Sequence, residues 1–333
     1  MGLVQYVLQR LVAYLVVLFV GITVTFFLPR VMPSDPIDNY IAQLQNQAGQ
    51  TLSPQAAQEI RASLAELYGL QGNLASQYVG YLKRVFLGFD FGPSFSAFPR
   101  PVSEIILAAL PWTIGLLVTT TLLAWIIGNL IGLLAGYFHN RRSATVLEVI
   151  GVVLFPIPYY ILAISLILLL AYTWQIFPLT TTIRPGVMTL DQIGSILYNS
   201  ALPALTLVLA GFGWNILSMK SLAYSTKEEP YVTFARLKGV REGSIMTRYV
   251  FRNALLPQVT GLALSIGTIF SGALLTEMLF SYPGLGLMMR TAAGAGDYNL
   301  LYGTMTISIV AVATAAFVID LVYPLFDPRI RFR

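Results

Sequence analysis

The 333-residue chain contains no cysteine and a single histidine, His139. Disulfides, thiolate metal sites and cysteine nucleophiles are excluded, and one imidazole is too few for a histidine-based metal or catalytic cluster. Charge is scarce as well. Asp, Glu, Lys and Arg make up 11% of the chain, against about 25% in a soluble domain. The dipeptide Gly-Lys never occurs, so the loop that cradles nucleotide phosphates ahead of a Lys-Ser/Thr pair is missing. If ATP drives this protein, another chain hydrolyses it. The sequence also lacks an internal repeat and a low-complexity tract, which disfavours a self-sufficient, ion-driven secondary transporter built from repeats.

What is present is apolar: 56% of residues are hydrophobic and the mean hydropathy is +0.72. These residues gather in blocks of about 20, the length that crosses ~30 Å of hydrocarbon. The net charge of +5 and pI of 9.3 would fit a nucleic-acid ligand. The basic residues instead flank the apolar blocks, as orientation signals do, so no nucleic acid is expected.

The first block, Leu8 to Leu28, is longer than a signal-peptide core and lacks a small-residue cleavage site, which predicts a retained span. Val31 to Arg100 is more polar. Ser53 as N-cap and Pro54 at the first position predict a helix up to Tyr68-Gly69. A second helix is expected over Leu74 to Phe86, then a turn-rich stretch from Gly88 to Ser94. Further blocks run from Ile105 to Tyr137, Val146 to Trp174, Ala201 to Leu222, Leu256 to Phe280 and Tyr302 to Phe326, with a loop expected from Gln175 to Asn199. Pro156 and Pro158 should kink or unwind the third block, which a membrane tolerates only where neighbours or a cavity cover the broken backbone. Lys and Arg in the short loops predict six spans with both termini inside.

The most informative stretch is charged and lies between the fourth and fifth blocks, Tyr231-Val-Thr-Phe-Ala-Arg-Leu-Lys-Gly-Val-Arg-Glu-Gly-Ser244, continuing to Arg252-Asn253-Ala254-Leu255-Leu256-Pro257. It reads as helix, Gly break, short helix and entry into the fifth span. Ala235 is small enough for close contact with a partner, and Gly239 permits a left-handed cap. By its residues alone the stretch reads more readily as a solvated loop. Its pattern, however, resembles the cytoplasmic loop of bacterial ABC importer permeases of the dipeptide/oligopeptide and nickel type. Tyr231, Val232, Ala235, Arg236, Lys238, Gly239, Arg252, Asn253, Ala254, Leu255 and Pro257 fit that family's form. Thr233-Phe234 stands where the broader importer pattern has Glu-Ala. The similarity extends to Leu28-Pro29, Pro33-Ser34-Asp35-Pro36, Tyr68-Gly69-Leu70, Gln77-Tyr78, Gly88 to Ser94, Glu277 with Phe280 to Gly286, Asp297-Tyr298 and the ending Asp327-Pro328-Arg329-Ile330-Arg331.

The resemblance implies an all-α type I importer permease. Residues 1–30 would form the first span and 31–100 a small helical extracytoplasmic segment. Residues 101–333 would form a core of five spans with a coupling loop at 225–253. The chain would be non-catalytic and hold no cofactor of its own, with ATP and Mg bound by two cytoplasmic ATPase subunits. Ala235, Arg236, Lys238, Gly239, Val240, Glu242 and Gly243 would meet those subunits. A second, homologous permease would complete the pathway in a bacterial or archaeal inner membrane. An extracytoplasmic binding protein would deliver the cargo, peptides or similar small oligomers, with oligosaccharides or nickel chelates as the alternative.

Two carboxylates lie in or near apolar blocks, where each costs roughly 2.5–3.5 kcal/mol on insertion scales. Glu277 is expected to support the turn containing Pro283, Gly284 and Gly286, and Asp320 to find a pairing partner. Trp112, Thr113, Asn129 and Asn215 could line a cavity or pack helices together.

Overall fold

The computed structural model describes residues 3–27, 37–38, 41–42, 45, 53–67, 72–183 and 190–326. Among these the chain is helical. An isolated bridge between Pro93 and Pro101 is its β-type pairing, and no strand is formed among the described residues. The expected motifs at 28–36, 68–70 and 327–331 lie outside the described residues.

Helix α1 covers Leu3–Phe27, α2 Pro54–Leu67 and α3 Leu74–Lys83, the last continued by a wider π-type turn over Arg84–Gly88. Helix α4 covers Val102–Tyr137, α5 Arg142–Leu154 and α6 Tyr159–Leu166, with a π-type stretch over Ile167–Thr173. Helix α7 covers Leu190–Lys227, α8 Pro230–Leu237 and α9 Glu242–Ser244, which runs through Ile245–Phe251 into α10, Arg252–Phe280. Helices α11, Leu285–Ala295, and α12, Tyr298–Phe326, complete the chain.

Among the described residues, four helical stretches are long and apolar enough to cross a membrane: Val4–Phe27, Val102–Tyr137, Gln192–Lys227 and Tyr298–Val322. Helices α5 and α6 form a fifth candidate, bent by 102° at their junction. The bend falls on Phe155 to Pro158, where Pro156 and Pro158 supply no N–H to continue the ladder. A Cβ on Gly213 of α7 would lie 2.9 Å from the Phe155 nitrogen, so a neighbouring backbone covers the break.

The chain divides into two compact units. The larger contains Met1–Leu11, Ile114–Tyr282 and Thr314–Arg333. Here Ala124, Phe212 and Ile216 form one buried cluster, and Ala163, Ala171, Leu202 and Phe280 another. A third joins Leu133, Tyr137, Met219 and Ala223 to Val232, Ile245, Val250 and Ala254. Helix α4 approaches α7 along Gly128, Gly132 and Gly136, where added Cβ atoms would lie 2.5 Å from Asn215 Cβ, 2.5 Å from the Ile216 carbonyl and 2.4 Å from the Lys220 carbonyl. Small residues four apart let membrane helices pack backbone to backbone. Lys220 Nζ lies 2.6 Å from Glu148 Oε1, tying α5 to α7. Asp320 pairs with Arg10 at 3.1 Å, and its carbonyl accepts from the Tyr6 hydroxyl at 2.7 Å.

The smaller unit contains Val12–Thr113 and Pro283–Ala313. Its core gathers Leu18, Ile22 and Phe26 of α1, Tyr81 and Val85, Val102, Ile105 and Ile106, and Leu300 and Ile307. Buried Asp297 accepts from Ser94 Oγ, Ser96 N, Ser96 Oγ and Leu300 N at 2.5–3.0 Å. That carboxylate caps α12 and clamps the 94–96 turn onto it. Ser53 Oγ accepts from Ala56 N at 3.2 Å, the expected cap of α2.

Two expectations need correction. The loop placed over Gln175 to Asn199 gives way to helix from Leu190 onward. Pro203 lies inside α7, and membrane helices tolerate proline where neighbouring groups re-satisfy the freed backbone. The turn expected around Gly286 ends at Gly284, because Leu285 starts α11.

Candidate functional site

Residues 225–253 build a polar elbow on the end of the larger unit's bundle. Pro230 opens α8 at a position where its missing N–H costs nothing. Val232 and Ala235 are buried, 0% and 4% exposed. Tyr231, Phe234 and Leu237, three residues apart, face outward, and Leu237 is 81% exposed. Helix α8 is therefore seated by one apolar face and presents a second to the surroundings.

The helix ends on Gly239, whose φ is +76°. Val240 N donates to the Ala235 carbonyl at 3.2 Å, and Gly239 N to that of Arg236 at 3.0 Å. These two bonds are a Schellman cap, which needs a left-handed residue at this position. Nothing would crowd a Cβ on Gly239. Backbone conformation, not space, demands glycine here. Val240 then turns inward against the buried cluster around Ile245.

Charge holds the elbow closed. Arg236 Nε lies 3.0 Å from Glu242 Oε1. The Tyr137 hydroxyl, at the end of α4, donates to the other carboxylate oxygen. The Tyr137 hydrogen bond and then the Arg236 guanidinium hold the Glu242 carboxyl below the usual carboxylate range. Lys227 Nζ donates to the Tyr137 carbonyl at 2.8 Å, satisfying an orphan acceptor at a helix C-terminus. Lys238 Nζ sits 4.6 Å from the Phe234 ring centre.

Within the same unit, α4, α7 and α10 line an open cavity of about 660 Å³. Thr121, Trp125, Trp214, Asn215, Ser218 and Gln258 line it, with Phe155 from the α5–α6 break. No ionisable side chain is among the described lining residues. Trp125 Nε1 donates to the Gln258 carbonyl at 3.0 Å, and Gln258 Nε2 to Ser218 Oγ at 2.7 Å. Asn215 Nδ2 donates to the Gly211 carbonyl at 3.1 Å. The Phe155 and Trp214 rings lie 5.4 Å apart. Such a wall offers aromatic faces and neutral hydrogen-bonding groups without a fixed charge.

Of the residues singled out from sequence, Asn215 lines this cavity. Asn129 is buried on α4 and donates to the Trp125 carbonyl at 2.7 Å. Thr113 lies in the smaller unit, where its Oγ1 accepts from Leu285 N at 2.9 Å and caps α11. Trp112 is half-buried in the same unit. Glu277 is fully buried, and its carbonyl accepts from Tyr282 N at 2.8 Å in a turn with left-handed Ser281. Thr181 fastens that turn through the Phe280 and Ser281 carbonyls at 3.0 and 2.7 Å. Pro283 follows it, Gly284 caps α11 and Gly286 is buried within that helix.

Arg236, Lys238, Glu242 and Gly243 sit on the elbow's exposed side, whereas the Ala235 side chain faces its own subunit's interior. Phe234, Leu237 and Tyr137 were missed from sequence. A spacing of three between apolar residues in a charged stretch was the available signal for the first two. The four-residue spacing of Gly128, Gly132 and Gly136 was legible as well.

Residues 128–332 match the family described as binding-protein-dependent transport system inner membrane component, and residues 3–117 match its N-terminal region. The oligopeptide transport system permease protein AppB of Bacillus subtilis is 29% identical over 334 residues, covering 98% of this chain and 99% of that protein. The dipeptide transport system permease protein DppB of Lactococcus lactis is 26% identical over 329 residues, covering 99% and 100%. DppB of Bacillus subtilis is 28% identical over 330 residues, covering 98% of each. The chain belongs to the binding-protein-dependent transport system inner membrane component family and is a multi-pass, non-catalytic permease subunit of an ABC importer.

Proposed function

We propose that this permease forms half of a peptide pathway and is driven through the 230–243 elbow by cytoplasmic ATPase subunits, which bind the ATP and Mg. The observation that carries the reading is the outward row Tyr231, Phe234 and Leu237 on a helix whose opposite face is already buried. An apolar row in so charged a segment calls for a protein cover. Burying Phe234 and Leu237 would contribute about 1.5–3 kcal/mol each. Arg236, Lys238, Val240, Glu242 and Gly243 surround that row or shape its turn.

In this reading α10 and the bent α5–α6 pair each count as one span, which brings the total to six. Both termini then lie in the cytoplasm, on the elbow's side. The segment 31–100 is extracytoplasmic and receives the binding protein. A second, similar permease supplies the other half of the passage. The names of the relatives support peptides as cargo, and the neutral cavity wall suits chains of varied side-chain charge, since it sets no fixed charge against any of them.

Freedom from cysteine makes a direct test simple. Leu237→Cys would carry the sole thiol, and a short crosslinker in membrane vesicles should join it to an ATPase subunit. Crosslinking to the binding protein, or labelling of that thiol by an impermeant reagent from outside the cell, would sink the reading.

A further inference from the structure

We propose that Tyr137 is a positioning residue, the joint through which the elbow moves the cavity wall. The inference rests on the reading of the elbow as the surface that meets the ATPase subunits. Tyr137 is 3% exposed and is the last residue of α4. Three elements converge on it. Its hydroxyl donates to the Glu242 carboxylate, which Arg236 of α8 grips from the other side. Its carbonyl accepts from Lys227 at the end of α7, and the same ammonium lies 5.2 Å from its ring centre. The elbow also meets the bundle through apolar packing of Val232, Ile245 and Val250 around Leu133 and Met219. Apolar packing holds the surfaces together but is non-directional. A hydroxyl-to-carboxylate bond has a direction, so it sets how a displacement of α8 is passed on.

Beyond Tyr137 the path is stiff. At Gly132 and Gly136, α4 touches the carbonyls of Ile216 and Lys220 with no side chain between. Close-packed interiors transmit displacement, so α4 and α7 move as one body. Trp125 lies on α4 roughly 18 Å from Tyr137 at 1.5 Å per residue, and Trp125, Asn215 and Ser218 from the two helices form cavity wall. Energetic coupling between the members of this chain of contacts is the measurement that establishes the route.

The test uses the assembled transporter in proteoliposomes with its ATPase subunits. Thr121→Cys, the sole thiol, carries a fluorophore in the cavity, and ATP with vanadate drives the motion. Tyr137→Phe keeps the ring and its packing but removes the hydroxyl. We expect the ATP-driven fluorescence change to fall at least fivefold while the rate of ATP hydrolysis stays within twofold of the parent. Glu242→Gln should likewise lose the fluorescence change, and in that readout the double variant should be no worse than the more impaired single variant. A fluorescence change within twofold of the parent overturns the proposal. So does a parallel fall in hydrolysis and fluorescence, which marks a merely structural role, and so do additive losses in the double variant. A parent protein whose cavity does not respond to ATP refutes the coupling reading itself, and the joint with it.

Discussion

Gly136 of α4 lies against the main chain of Lys220 on α7, so close that a Cβ would sit 2.4 Å from the carbonyl oxygen. That oxygen belongs to a helix backbone and cannot rotate aside. The contact lies one residue before Tyr137 and between the elbow and the cavity, so both the stability and the transmission of motion pass through it.

Gly136→Ala should therefore destabilise the protein, although alanine favours a helix by roughly 1 kcal/mol over glycine. Overpacking costs typically about 1–3 kcal/mol, and here it has no flexible neighbour to absorb it. Thermal unfolding in detergent should show a lower midpoint. Gly243→Ala is the control, because nothing lies within 4 Å of its added Cβ. Equal midpoints for the two variants would refute the close-packing argument.

Gly239 responds to backbone conformation. Gly239→Pro fixes φ near −65° and removes the N–H that donates to Arg236, so substrate-stimulated ATP hydrolysis should disappear while the chain remains in the membrane. Gly239→Asn should retain more stimulation than Gly239→Val, since asparagine tolerates the left-handed region. Wild-type stimulation in the proline variant would show that the Schellman cap has no part in coupling.

Leu237→Asp places a charge in the centre of the proposed contact. Losing about 1.5–3 kcal/mol of apolar burial weakens association with the ATPase subunit by about 10- to 100-fold. A titration of ATPase subunits onto the permease in nanodiscs reads this directly. Unchanged affinity would move the contact elsewhere on the elbow.

The elbow's response to acid follows from Glu242. Its folded-state pKa lies below the ordinary carboxylate value because Tyr137 and Arg236 favour the charged form. Stabilisation from such a group is complete above the unfolded pKa of about 4.3. It is lost as pH falls through the lower folded value. Amide-exchange protection of Glu242 to Ile245 should thus hold steady through neutral pH and drop on the acid side. In Glu242→Gln that acid step should vanish. A protection change near neutral pH would assign the switch to a different group.

Asp297→Ala removes the acceptor of three side-chain and backbone donors on the 94–96 turn and of the Leu300 N–H. Leaving buried donors unmet costs at least about 2 kcal/mol. Proteolysis within 94–100 should accelerate, and an unchanged cleavage rate would show that the turn is held by other contacts.

Much of this was open to sequence reading because local chemistry decides it. Ser53 and Pro54 announce a helix start, Pro156 and Pro158 a break, and Gly239 a left-handed cap, each through groups within a few residues. Tyr137 escaped that reading. Nothing in its neighbourhood distinguishes it from any aromatic residue at a membrane helix end, and its partner Glu242 lies 105 positions away. The same holds for Asp297 and Ser94, 203 positions apart.

Hydropathy and proline placement by themselves settled that this chain is a helical membrane protein, since lipid leaves the backbone few ways to satisfy its own polar groups. The permease reading came from the resemblance of the Tyr231-to-Pro257 pattern to a known family. Which faces of the elbow are buried, which helices close on glycine, and which polar residues share a cavity were decided by tertiary packing. Those choices depend on contacts between segments distant along the chain, and periodicity within one segment carries no record of its neighbour.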